Sequence, residues 1–405
     1  MASNTVTCLP EQSGLVRHDS IVLDLAFAMD CTASMSSYIT TARRNIQKIV
    51  EGIVSSEKSD VKLALVEYRD HPPQELTYVT RAHDFTTSVS GMRRWLEGCN
   101  AQGGGDIPEA VADALHEVLK LTWREHSTKI CVLISDAPPH GLHPTGDTFP
   151  NGCPAGLDPL AIVRQIAEKG ITLYCVGCEP AVIPYKEFFT ALAFLTGGQY
   201  VPLVGAKALT QIIIGGAQEE VSLERWMAEV DQVVQQESKH GRKVDEETIS
   251  KKIAAKLKSK GARSKALMRN NVALKEASDF SKALSKCKSL KQLKGRFKLA
   301  SIPSSAVSKR TTSYKRKKKG RLAKEDIIVK KGGPVKKGVI VKKGCPVKKG
   351  VKVKKSGPVK MAAKRKSSIP KVTDDEDVYK TVESFISHSQ ILRMMRKSRA
   401  RSKKK

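Results

Sequence analysis

Ile21-Val-Leu-Asp-Leu-Ala-Phe-Ala-Met is an almost unbroken apolar run that stops at Asp30, the pattern of a strand buried on both faces of a parallel sheet. Behind it, Ile39, Ile46, Ile49, Val50 and Ile53 recur at helical spacing between Thr32 and Val54. Val61 to Tyr68 alternates as a second strand, and Tyr78 to Phe85 fits a short edge strand. A helix over Val89 to Gly98, a glycine loop at Gly103-Gly-Gly and a helix over Pro108 to Leu121 follow, the last with proline in its first turn. Lys129 to Ser135 is again a buried strand, and it ends at Asp136. Pro159 to Lys169, Ile171 to Val176, Tyr185 to Leu195 and Tyr200 to Leu203 continue the alternation of helix and strand. Repeated units of this kind predict an α/β fold, a doubly wound, mostly parallel sheet with helices on both faces.

Beyond Gln218 the pattern weakens. A helix from Glu219 to about residue 240 carries Leu223, Trp226, Met227, Val230 and Val233 on one stripe, and another is expected around Ser278 to Leu293. Val-Lys-Lys then recurs with a period of six, starting at Val329, Val335, Val341, Val347 and Val353, with Pro334, Pro346 and Pro358 marking every second unit. One valine beside two lysines cannot build a core, so these repeats are expected to be extended and solvated.

Charge sharpens the division. Residues 1–218 carry a net charge of −6 and residues 219–405 a net of +36, so the basic character of the whole chain, +30, comes from its second half. Only six of the aromatic residues lie there: Trp226, Phe280, Phe297, Tyr314, Tyr379 and Phe385. Few large apolar groups and strong self-repulsion leave little to offset chain entropy. The organisation read from this is an N-terminal segment 1–19, a folded domain 20–218, a basic and partly helical region 219–300, and a Lys-rich low-complexity tail 301–405, largely disordered, with the repeats over 329–360.

No signal peptide and no membrane span are expected, since the start lacks an apolar core and no run of about 18 apolar residues occurs. Cysteines number nine, an odd count, and Cys131 and Cys175 fall inside apolar strand-like runs. The Cys175/Cys178 pair closes a strand and has no second pair for zinc, so buried or incidental thiols are the reading. With no Asn-x-Ser/Thr acceptor, an intracellular compartment is expected, nucleus or cytoplasm.

Ligands of open parallel sheets sit beyond the carboxyl ends of the strands. Three polar segments converge there: Asp30-Cys-Thr32-Ala-Ser34, Gly104-Gly-Asp106-Ile-Pro-Glu109, and Ser135-Asp136. Asp30, Thr32, Ser34, Asp106 and Asp136 supply hard oxygen donors without a His/Cys set, which suits Mg²⁺ or Mn²⁺. Singly, Asp30 and Asp106 also stand where a helix N-cap would, and Asp136 where a strand-end turn would. Their joint placement at adjacent strand ends favours a shared metal. Arg69, Asp70 and His71 end the second strand on the same edge, as partner contacts or, for His71 and His140, as ordinary surface histidines.

These residues resemble the metal-ion-dependent adhesion site of the von Willebrand factor A family, Asp-x-Ser-x-Ser with a distant Thr and a distant Asp. The resemblance covers roughly Ser20 to Leu203. It is strongest to the intracellular versions attached to α-type protein kinases, which share Tyr68-Arg-Asp-His, Gly-Gly-Gly-Asp-x-Pro-Glu and Asp136-Ala-Pro-Pro-His-Gly. It implies direct coordination by Thr32 and Ser34, with Asp30 and Asp136 acting through water or by orienting the hydroxyls. It also implies a protein ligand at the metal face. Thr32 replaces the usual serine and keeps the hydroxyl. Asp106 falls where many relatives have threonine and adds a third carboxylate, which weakens the pull of the ion on an acidic partner residue.

No nucleophile and base pair with a supporting motif is visible, and the second half lacks a Gly-rich nucleotide loop. Binding rather than catalysis is expected, with no kinase domain in this chain. Lys315-Arg-Lys-Lys-Lys, Lys364-Arg-Lys and the run from Arg396 to Lys405 read as nuclear import signals and as phosphate-neutralising segments for nucleic acid or another polyanion, including acidic protein or anionic lipid. No aromatics interleave with the lysine repeats, so base stacking is not indicated. Thr373-Asp-Asp-Glu-Asp resembles an acidophilic kinase site.

Overall fold

A computed structural model describes residues 21–57, 59–239, 245–297 and 377–402. The N-terminal segment, the Val-Lys-Lys repeats and Thr373 lie outside the described residues. Strands β1 (Ile21–Asp30), β2 (Ser59–Tyr68), β3 (Thr80–Thr86), β4 (Thr128–Ser135), β5 (Ile171–Glu179) and β6 (Tyr200–Val204) form one sheet in the order β3-β2-β1-β4-β5-β6. All neighbours are parallel except the edge strand β3, which runs antiparallel to β2. The order reverses between β1 and β4, and this switch point is where an open α/β sheet presents its ligand-binding edge.

The unbroken apolar runs are explained by two cores. On one face Ala26, Ala28, Ala64, Val66, Cys131, Leu133 and Leu173 meet α3 (Val111–Lys120), α4 (Pro159–Glu168) and α5 (Lys186–Leu195). On the other, Leu25, Phe27, Leu63, Leu65, Ile130 and Val132 meet α1 (Ser36–Glu57), α2 (Val89–Gly98) and α6 (Leu209–Glu224). Cys131, Cys175 and Cys178 are buried thiols, and burial pushes Cys131 up to about 12. The doubly wound sheet is thus the one that the hydrophobic pattern predicts.

The chain departs from that pattern after the sheet. The boundary placed at residue 218 falls inside α6, and the single helix expected there is two, α6 and α7 (Met227–Lys239). The helix placed around Ser278 to Leu293 is likewise two short ones, α9 (Asp279–Ser285) and α10 (Leu290–Lys294), whose Leu284, Leu290 and Leu293 join the first core. Between α7 and α9 lie α8 (Glu246–Ser259) and the strands β7 (Arg263–Arg269) and β8 (Val272–Ala273).

The largest departure concerns the end of the chain, which composition assigns to the basic arm. Residues 377–402 fold back as β9 (Tyr379–Phe385) and α11 (His388–Ser402). β9 pairs antiparallel with β7 in a second sheet of order β8-β7-β9, and Leu267 of β7 and Thr381 of β9 pack over Gly215 of α6. Ile391, Met394 and Met395 of α11 join a third core with α7 and α8.

Charge makes this docking specific. Arg393 bonds Glu219 at 3.0 Å, Glu220 at 2.9 Å and the Tyr174 hydroxyl at 2.8 Å. Lys397 pairs with Glu220 and Glu224, Arg401 takes Glu224 with two nitrogens, and Arg399 reaches Glu246. Arg396 lies 3.6 Å over the ring of Phe194. The terminal basic run is therefore largely spent inside the fold, up to Ser402, rather than free for a polyanion. A net-charge count cannot see pairing between groups more than 150 residues apart.

Burial raises the carboxyl of Glu224, but Lys397 and Arg401 outweigh it and hold it at about 2; Lys397 and Arg393 likewise hold Glu220 below the ordinary range. A depressed folded-state pKa contributes stability that is complete above the ordinary value of 4.5 and is lost as pH falls toward 2. Thermal unfolding of the full chain is expected to weaken across that window. A Glu224→Gln variant should start less stable at pH 6 and lose less between pH 6 and pH 3.

Candidate metal centre

Asp30 is the last residue of β1 and is fully buried. Its Oδ1 accepts both the backbone N–H of Thr32 at 2.9 Å and the Thr32 hydroxyl at 2.6 Å. Thr32 Oγ1 lies 3.3 Å from Ser34 Oγ, which donates to Asp136 Oδ1 at 3.1 Å. Ser135, at the end of β4, donates to the other oxygen of Asp30 at 3.5 Å. Four of the five expected site residues, Asp30, Thr32, Ser34 and Asp136, are thus joined in one hydrogen-bonded chain across the β1 and β4 ends.

Asp106 stands differently. It caps no helix, because α3 starts at Val111 with Ala110 as its N-cap, and its Oδ2 accepts the backbone N–H of Thr148 at 2.8 Å. Its carboxylate groups with Asp70 and His140, ligand atoms within 4.8 Å of one another. Asp70 Oδ1 accepts from the His71 backbone N–H and pairs with His140 Nε2, both at 2.6 Å, while His140 Nδ1 meets Asp147 at 2.9 Å. Burial disfavours a charged His140, but Asp70 and Asp147 outweigh it and raise its pKa.

Neither reading of the neighbouring residues as exposed contacts survives. His71, His140 and Arg69 are all buried. Arg69 is occupied by Thr77 at 2.7 Å, the Asn100 carbonyl at 2.6 Å and Glu75 at 3.5 Å.

Glu109 joins the two groups and was not among the ligands read from sequence. It is buried 4% exposed, and burial followed by the charges of Asp30, Asp70, Asp136 and Asp106 pushes its carboxyl up to about 11. Burial and Asp136 likewise push Asp30 up to about 7, against the bonds from Thr32 and Ser135. The signal for Glu109 was its place in Gly-Gly-Gly-Asp-x-Pro-Glu, where the glycines admit it. Gly104 has φ +79°, and a Cβ there would stand 2.9 Å from Glu109 Oε1 and 3.3 Å from Thr32 Cβ.

Oxygen atoms Oδ2 of Asp70, Oδ1 of Asp106 and Oε2 of Glu109 are buried and have no hydrogen-bond partner within the protein. Unsatisfied buried carboxylate oxygens are costly, and a cation is what offsets several at once. Two hydroxyls and a carboxylate cluster are hard donors, so the residues present fit a divalent ion of the Mg²⁺ or Mn²⁺ type.

An open α/β sheet with a hydroxyl and carboxylate cluster at its switch point defines a domain of the doubly wound class. Residues 24–146 match the model of the von Willebrand factor A domain, and the chain carries a domain of that family. It is 30% identical over 155 residues to the alpha-protein kinase vwkA of Dictyostelium discoideum, a match over 38% of this chain and 24% of that protein. It is 26% identical over 182 residues to the human Mediator of RNA polymerase II transcription subunit 25, over 40% of this chain and 24% of the relative. The matches thus span about a quarter of those relatives' length. Among solved structures, the von Willebrand factor type A protein from Catenulispora acidiphila aligns at a TM-score of 0.35 and 13% identity, covering 50% of this chain and 43% of that one.

Glu109→Gln separates ion binding from packing. It removes the most crowded acid while keeping its shape, so without metal the variant should unfold within about 1 kcal/mol of the parent. Its stabilisation by Mg²⁺ should fall clearly below the parent's in the same thermal assay.

Proposed function

We propose that the domain binds a protein partner at the carboxyl edge of its sheet through a bound Mg²⁺ or Mn²⁺. Thr32 and Ser34 coordinate the ion, Asp30 and Asp136 orient these hydroxyls or bind through water, and Glu109 and Asp106 add negative charge around it. The observation that carries the reading is the hydrogen-bonded Asp30-Thr32-Ser34-Asp136 chain beside three unsatisfied buried carboxylate oxygens. Von Willebrand factor A domains are generally interaction modules rather than enzymes.

The rim supports a protein ligand. Leu76 is 82% exposed and Ile107 is 54% exposed, and both stand on loops of this edge. Those loops touch, because a Cβ on Gly103 or Gly105 would collide with Glu75 or Gln74. Large exposed apolar groups beside a polar cluster form the usual composition of a contact patch. With several carboxylates around one dication, little pull remains for a partner's carboxylate, so the partner is recognised through hydrogen-bonding and apolar groups.

A second reading concerns the basic arm. The Val-Lys-Lys repeats with Lys315 to Lys319 and Lys364 to Lys366 favour contact with a polyanion and a nuclear location. The run from Arg396 to Ser402 does not enter it, being paired in the fold. No described helix is long and apolar enough to cross a membrane.

Mg²⁺ at a hundredfold excess over its dissociation constant should stabilise the full chain by about 2.7 kcal/mol. Asp136→Ala should abolish that response, and equal stabilisation of the variant would overturn the metal reading. For the arm, affinity for duplex DNA should fall linearly in a log-log plot against salt, and deletion of residues 307–375 should remove the slope.

A further inference from the structure

Beside the oxygen cluster lies a second set of side chains with a different donor chemistry. His71 follows the end of β2, Asp113 sits in the first turn of α3, and Cys153 lies in the loop between β4 and α4. His71 Nε2 is 3.0 Å from Asp113 Oδ2, Cys153 Sγ is 3.3 Å from the same oxygen, and Cys153 Sγ is 3.8 Å from His71 Nε2. We propose that His71, Asp113 and Cys153 bind a Zn²⁺ ion, with water in the fourth position.

The triangle has the right dimensions. Bonds of about 2.0–2.1 Å to nitrogen and oxygen and about 2.3 Å to sulfur, set tetrahedrally, place the donor atoms roughly 3.3–3.6 Å apart. The three observed edges bracket that range. A catalytic relay is a poorer description, because it needs the thiol and the carboxylate on opposite nitrogens of the imidazole. Here both face Nε2, so the three side chains converge on one point.

A tight turn fixes where the sulfur points. Ala155 donates its backbone N–H to Cys153 Sγ at 3.3 Å, and Gly156 donates to the Cys153 carbonyl at 3.0 Å, so Cys153-Pro-Ala-Gly folds into a tight turn under the sulfur. A neutral imidazole, a thiolate and a carboxylate carry two negative charges, which Zn²⁺ cancels, and a neutral site is what a half-enclosed position tolerates. His71 and Asp113 side chains are only 8% and 12% exposed. Phe149 packs edge-on against His71, ring centres 5.7 Å apart, and closes one side.

The consequence is mechanical. His71 adjoins Asp70, and Asp113 lies in the first turn of the helix that Glu109 leads into, so the ion would pin together the segments that carry two acids of the neighbouring cluster. The β4–α4 loop, which supplies Thr148 to Asp106, would be held by the same ion. The zinc set shares no ligand with the Mg²⁺ reading and stands or falls separately.

The test is cobalt substitution of the full chain, stripped of metal and supplied with excess Mg²⁺ to fill the oxygen cluster. One equivalent of Co²⁺ should give the visible bands of a tetrahedral ion and an ultraviolet thiolate-to-cobalt charge-transfer band, both removed by one equivalent of Zn²⁺. Cys153→Ser should lose the charge-transfer band, and Asp136→Ala should keep it. Absence of the band in the parent, or its persistence in a folded Cys153→Ser, overturns the proposal. X-ray absorption of the Zn²⁺-loaded parent decides independently of any variant: one sulfur at about 2.3 Å supports the site, and an all-oxygen and nitrogen shell overturns it.

Discussion

Crowding of acids at one edge of the sheet is the constraint from which the rest of the domain follows. Asp30, Asp70, Asp106, Glu109 and Asp136 come from four separate segments, and burial together with their mutual repulsion pushes Glu109 up to about 11. A fold assembled only for stability would not gather like charges in a low-dielectric pocket. The parallel topology brings them together because β1, β2 and β4 are neighbours whose carboxyl ends share that edge. Local structure is then shaped around them: glycines at 103–105 let the acidic loop approach Thr32, and His140 is held between Asp70 and Asp147 to neutralise part of the charge.

The same chain shows what a purely structural acid cluster looks like. Glu219 and Glu220 on α6 are as deeply placed and Glu224 is partly buried beside them, yet Arg393, Lys397 and Arg401 of α11 meet every one of them. The ion pairs hold the carboxyls of Glu220 and Glu224 below the ordinary range, whereas burial and neighbouring acids push those of Asp30 and Glu109 above it. This protein can supply basic partners for buried acids where the fold needs them, since it has 71 lysines and arginines. Among the described residues, the charges that act most strongly on Asp30 and Glu109 are those of other acids. The contrast favours a cation from solution as the missing partner there.

Legibility in the sequence followed the range of the signal. The central sheet was readable because each parallel strand is a continuous apolar run and each crossover helix carries its own stripe, both local patterns. Asp30, Thr32, Ser34 and Asp136 were readable because they abut those runs. Asp106 was placed with them by its motif, but its neighbours are Asp70, His140 and Thr148, and the residue aimed at the others is Glu109, three positions on. Spacing within a loop cannot tell which of two acids turns inward. β9 and α11 were unreadable for a different reason: their strand partner and their ion pairs lie more than 100 residues away, while composition reports only their charge.

Docking of β9 and α11 also changes what the basic repeats are. The stretch 298–376 is preceded by α10 and followed by β9, which belong to the same folded unit. Bringing together segments this far apart in the chain costs loop-closure entropy that grows only slowly with the length between them. The core contacts of Tyr379, Met394 and Met395 and the ion pairs of Arg393 and Lys397 offset that cost. β9 and α11 thus stay docked on contacts of their own, and the basic repeats stand between two folded segments of the chain, after α10 and before β9.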